Sequence, residues 1–122
     1  MNNKIYEYLN CSKPRSFNET LFSFIDKSGL KDSEVYKCVD IDRKLFSKIR
    51  CNSDYIPKRN VIIKLCLALK LSKLEFNTLL NSAGYSLSQT KFDMIISYCL
   101  DNSIYDLSII NDYLFTHCGA TL

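Results

Sequence analysis

The chain has 122 residues, 47% apolar and 24% charged, within the ~100–200 residues of one domain. Three Gly and two Pro exclude a loop-rich β-sandwich, a collagen-like repeat or a low-complexity tail. No apolar run approaches the ~18–20 residues of a membrane span, and Met1-Asn2-Asn3-Lys4-Ile5 lacks the apolar core of a signal peptide, so a soluble cytoplasmic domain is expected.

Net charge is only +3, but it is unevenly distributed. Residues 43–64 carry seven basic groups against Asp54 alone, or +6, whereas residues 92–122 carry four aspartates and no Lys or Arg, or −4. Such asymmetry suits a local anion-binding face as well as an ordinary solvated surface. Of six cysteines none shares CxxC spacing, and His117 is the single histidine, so zinc-site arithmetic fails and no metal is expected. Free thiols in a reducing compartment are expected, with Cys38, Cys66 and Cys99 on apolar helix faces.

All strong periodicities are helical. Residues 1–15, with a short stripe of Ile5, Tyr8 and Leu9 ending at Pro14, read as an N-terminal arm. Ser16-Phe17-Asn18-Glu19 is a capping box that opens a helix with Phe17, Leu21, Phe24 and Ile25 inward and Gly29 as its stop. Asp32 is placed to cap a short helix to Lys37 or Cys38, and Asp42 to cap another from Arg43 to Arg50 with Phe46 and Ile49 inward. Pro57 precedes a helix from about Lys58 to Lys70, apolar almost all round and therefore central. Ser72-Lys73-Leu74-Glu75 is a second capping box, its helix burying Phe76, Leu79, Leu80 and Ala83 before Gly84. Phe92, Ile95, Ile96, Cys99 and Leu100 make the best stripe, and a last helix from Asp106 to Phe115 turns Leu107, Ile110 and Leu114 inward.

No Gly-rich phosphate loop, HExxH, GxSxG or flanked carboxylate pair is present, so the chain is expected to be no enzyme and to need no cofactor. The informative segment is residues 31–60. Arg43, Lys44 and Lys48 project from the outer face of the helix that buries Phe46 and Ile49. Long donors near a helix N-terminus suit base edges in a major groove, where an arginine or lysine meets guanine O6 and N7. Ser47, Arg50, Ser53, Lys58 and the amide end of the following helix suit phosphates.

This order of elements, with Ile41-Asp42-Arg43-Lys44-Leu45-Phe46-Ser47-Lys48-Ile49 at its centre, resembles the Cro/lambda-repressor (XRE) helix-turn-helix family over residues 17–85. The resemblance implies an all-α, five-helix helix-turn-helix domain over residues 16–85. A two-helix extension over residues 86–122 would pack on the same domain. The family's base-reading positions, the first, second and sixth of the recognition helix, fall on Arg43, Lys44 and Lys48. Two departures stand out: Cys38 and Val39 replace the usual Ala-Gly turn, and Arg59 stands where a leucine is commonly buried.

Two function classes follow. One is sequence-specific binding of double-stranded DNA by a small transcriptional regulator, either with residues 86–122 closing the core or as a homodimer through them. The other is a protein-interaction module, an adaptor, antitoxin-like partner or inhibitor, that uses the same scaffold without DNA.

Overall fold

The computed structural model describes residues 3–11 and 16–122. Among these the chain is all-helical, with α1 Asn3–Cys11, α2 Phe17–Ser28, α3 Asp32–Lys37, α4 Arg43–Cys51, α5 Arg59–Ala68, α6 Lys73–Ser82, α7 Lys91–Asp101 and α8 Leu107–Cys118. The segment expected as an arm contains a helix, α1, on which Ile5 and Tyr6 are exposed. Pro14 and the side chains of Tyr8 and Leu9 lie outside the described residues.

α5 is the hub. Ile62, Ile63, Leu65, Cys66, Leu67 and Ala68 are all buried, and α5 packs against both α3 and α6. Each large apolar side chain so enclosed contributes about 1.5–3 kcal/mol. α2 and α7 each lie against α6, α3 lies against α4, and α7 and α8 form an antiparallel pair. The expected helix over residues 58–70 ends sooner, at Ala68, because Lys70 turns into the left-handed region.

Four connections share one device. In each, an amide bonds back five residues, Ile41 to Tyr36, Leu71 to Cys66, Tyr85 to Leu80 and Ile104 to Cys99. The residue before each donor has positive φ: Asp40 (55°), Lys70 (49°), Gly84 (83°) and Ser103 (55°). This is the Schellman arrangement, in which a left-handed residue lets the chain satisfy the last helical carbonyls and fold an apolar residue back. Only one of the four is glycine. The α3–α4 turn, where the sequence departs from Ala-Gly, therefore closes through Asp40, whose short polar side chain tolerates this conformation.

The last two helices are tied to the rest by polar bonds. The Tyr105 hydroxyl donates to the Leu71 carbonyl at 3.0 Å, and Lys73 pairs with Asp101 at 3.1 Å. Deeper lies an ion pair between Arg59, at the start of α5, and Asp93, in the first turn of α7. Asp93 is 1% exposed, whereas Phe92, expected inward, is only half-buried. The stripe is rotated because Asp93 accepts four hydrogen bonds: from Arg59 Nη2 (2.6 Å) and Nη1 (3.1 Å), and from the Ser88 amide (2.7 Å) and hydroxyl (2.8 Å). Burial works to raise the Asp93 carboxyl above its ordinary 3.8. The hydrogen bonds from Arg59 and Ser88 and the charge of Arg59 outweigh it, so the group sits lower.

Candidate functional site

α3 and α4 are short helices that owe their mutual orientation to one aromatic and ionic cluster. The Phe46 ring, buried on α4, meets the edge of Phe22 from α2 at 6.1 Å and lies 5.3 Å from Tyr36 of α3. The Arg50 guanidinium covers the outer face of Phe22 at 4.0 Å. Its Nε and Nη2 then grip the Asp32 carboxylate at 2.6 and 2.8 Å, a two-pronged bond from α4 back to α3. From α2, the Asn18 amide donates to the Ile49 carbonyl at 2.8 Å and satisfies an acceptor near the end of α4.

These contacts change two expectations. Asp32 is not the cap of α3: Lys31 holds that position and Glu34 reaches back to its amide at 3.0 Å, leaving the Asp32 carboxylate for Arg50. Arg50, expected on phosphates, stays exposed but gives two of its donor groups to Asp32 of the same chain. It serves to clamp α4 in place.

What α4 presents outward is basic and largely unspent. Arg43, Lys44, Ser47 and Lys48 are all exposed, and Arg43 and Lys44 have no ionic partner among the described residues. Lys48 lies over the Tyr55 ring at 4.3 Å, which steadies its stem across the loop that follows α4. Arg43 and Ser47 border a shallow groove of about 400 Å³ between α3 and α4, which Lys31 and Ser33 also line. Those last two escaped the sequence reading because nothing in a helical wheel of α4 reports what α3 places opposite it. Ser53 and Lys58 are exposed beyond the end of α4, in the loop and at the start of α5.

The helix starts differ as well. Side-chain oxygens of Ser16, Ser72, Thr90 and Asp106 cap α2, α6, α7 and α8. Asp42 and Lys58 stand at the cap positions of α4 and α5 without any side-chain capping bond, so the expected Asp42 cap is not formed. Both helices begin with basic residues, Arg43-Lys44 and Lys58-Arg59, at the end where the helix dipole is already positive. At α4 the arrangement raises the positive potential over the first turn and leaves its amide donors unfilled by side chains.

The internal ion pairs also redraw the charge map. Arg59 and Asp93 neutralise each other in the interior, which removes one charge from the basic block and one from the acidic tail. Arg50 and Asp32 do the same nearer the surface. The basic face that remains centres on the first turn of α4.

Cys38, Cys51, Cys66, Cys99 and Cys118 are free, and the side chain of Cys11 lies outside the described residues. Cys66 and Cys99 are buried as expected, and burial pushes both thiols up. Cys38 is exposed instead, because it falls at the end of α3, where its Sγ donates to the Val35 carbonyl at 3.3 Å. Among the described residues no cluster of His, Cys, Asp and Glu is placed to hold a metal, and no helix is long and apolar enough to cross a membrane.

No protein-family model matches the chain, and neither does any curated protein or solved structure.

Proposed function

We propose that α3 and α4 form a helix-turn-helix and that the chain is a small transcriptional regulator binding double-stranded DNA with α4 in the major groove. The observation that carries this reading is the first turn of α4. Arg43 and Lys44 stand exposed, with no ionic partner among the described residues, on a helix whose inner face is pinned by Phe46 and Ile49 and whose last turn is held to α3 by the Arg50–Asp32 pair. A base-reading element needs that combination of free long donors on a rigid support.

Under this reading Arg43, Lys44 and Lys48 meet base edges, with a bidentate pair discriminating by about 1–3 kcal/mol. Ser47, Ser53 and Lys58 take phosphates, joined by Lys31 and Ser33 from across the groove. Arg50 leaves the phosphate set and becomes a positioning residue. The chain is then a binding protein that needs neither catalysis nor cofactor. The protein-interaction reading draws its own support from an apolar strip exposed on α7 and α8.

The test is fluorescence anisotropy with a labelled random-sequence duplex across a salt series, for wild type and the Arg43→Ala/Lys44→Ala/Lys48→Ala variant. Wild type should bind at ~10⁻⁴–10⁻⁶ M, with log K falling by about 0.9 per phosphate neutralised per decade of salt. The slope should flatten in the variant. Absence of binding at low salt, or an unchanged slope in the variant, overturns the reading.

A further inference from the structure

α7 and α8 are antiparallel neighbours joined by a short connection, and their outer surface carries a groove of about 760 Å³. Met94 is 61% exposed, Tyr98 56% and Tyr113 37%, all lining that groove. Scattered exposed apolar side chains are ordinary, but contiguous ones on two adjacent helices mark an interaction surface. The chemistry along it has a direction. Lys91, at the start of α7, and His117, near the end of α8, line one end of the groove. Asp101, exposed at the last residue of α7, stands beyond the other end of the groove.

We propose that this face binds a second copy of the same chain, through a two-fold contact in which the two α7 helices cross antiparallel. Lys91, Met94, Tyr98 and Asp101 recur at helical spacing on one stripe, with Lys91 and Asp101 about 15 Å apart along the axis. A two-fold axis midway along that stripe sets Lys91 opposite Asp101 of the second copy. The same register sets Met94 opposite Tyr98 of the second copy, a favourable thioether–aromatic contact. One register thus satisfies both the charged ends and the apolar centre, and by symmetry it satisfies each twice. A foreign partner would need to reproduce this gradient in reverse; a second copy carries it already. Asp101 also touches Lys73, but both side chains are half-exposed or more, and its carboxylate has acceptor capacity left for a second cation. The contact lies on α7 and α8, away from the basic turn of α4. It does not depend on the DNA reading, and it leaves α4 free in either copy.

The experiment is sedimentation equilibrium of the full chain across a concentration series, with circular dichroism to verify folding. Wild type should sediment at twice the 14.1 kDa chain mass. Met94→Glu, a change at an exposed position, should raise the dimer dissociation constant about tenfold or more while leaving helix content intact. Lys91→Glu and Asp101→Lys should each weaken the dimer about threefold or more, and the double exchange should recover it. A monomeric wild type, a dimer indifferent to Met94→Glu, or a double exchange no tighter than its single variants overturns the proposal. Because the readout is mass, those results leave the anisotropy test of α4 standing on its own.

Discussion

Replacing Arg59 by Met keeps most of the side chain's volume and removes both bonds to the Asp93 carboxylate. Asp93 is 1% exposed and retains only the Ser88 amide and hydroxyl as donors. Removing one partner of a buried ion pair costs about 3–5 kcal/mol, because the other charge is left uncompensated. The low end applies here, about 3 kcal/mol, since the Arg59 side chain is 28% exposed and Ser88 continues to bind the carboxylate. With a urea m-value of about 1.5 kcal/mol/M, the unfolding midpoint should fall by about 2 M.

The pH dependence adds a sign. In wild type the Asp93 carboxyl lies below its unfolded value of 3.8, so its contribution is complete above that pH and is lost as pH falls through the folded value. Without Arg59 the desolvation that raises the carboxyl loses its main opponent. Acid then neutralises the orphaned charge and relieves the variant. Urea titrations followed by circular dichroism should therefore show the gap between the two proteins wide at pH 7 and narrowing below about pH 4. A gap under 1 kcal/mol at pH 7, or one that stays constant with pH, would refute the idea that this pair locks α7 to α5.

Two further outcomes follow from the helix ends and the thiols. Lys70 holds φ 49° at an exposed position; Lys70→Gly relieves about 1–2 kcal/mol of left-handed strain against about 0.5–1 kcal/mol of lost chain entropy. Thermal unfolding should rise by about 2–4 °C, and a fall would show that the αL account of the turn is wrong. Alkylation of the native protein should label exposed Cys51 early and spare Cys66 and Cys99, whose thiols are buried and shifted up, until unfolding. Equal native rates at Cys66 and Cys51 would contradict the packing of α5.

Where each helix begins was largely written in local chemistry. Ser72 and Glu75 form the box their spacing announced, Ser16 caps α2 through its hydroxyl, and Ile62, Ile63 and Leu65 to Leu69 are buried as in a nearly all-round apolar helix. The outward set Arg43, Lys44 and Lys48 was legible for the same reason, since 3.6-residue periodicity assigns faces without knowledge of neighbours. Periodicity says nothing, however, about which polar residue finds a partner from another helix. Asp93 reads as one more charge in an acidic tail, and Arg59 as a departure from an apolar pattern. Only the approach of α7 to α5, 34 residues apart in sequence, makes them a pair. Arg50 likewise reads as a surface cation until α3 brings Asp32 within 2.6 Å.

The sequence by itself determined the all-helical character, most helix starts and the exposed basic face of α4, because caps and amphipathic spacing act within a few residues. The tertiary structure alone decided which charges are spent inside. A charge is retained in the interior only where a partner and hydrogen bonds offset its desolvation, and those come from distant segments of the chain. It also decided that Met94, Tyr98 and Tyr113 share one exposed surface, since two helix faces become one groove only when the helices pack side by side.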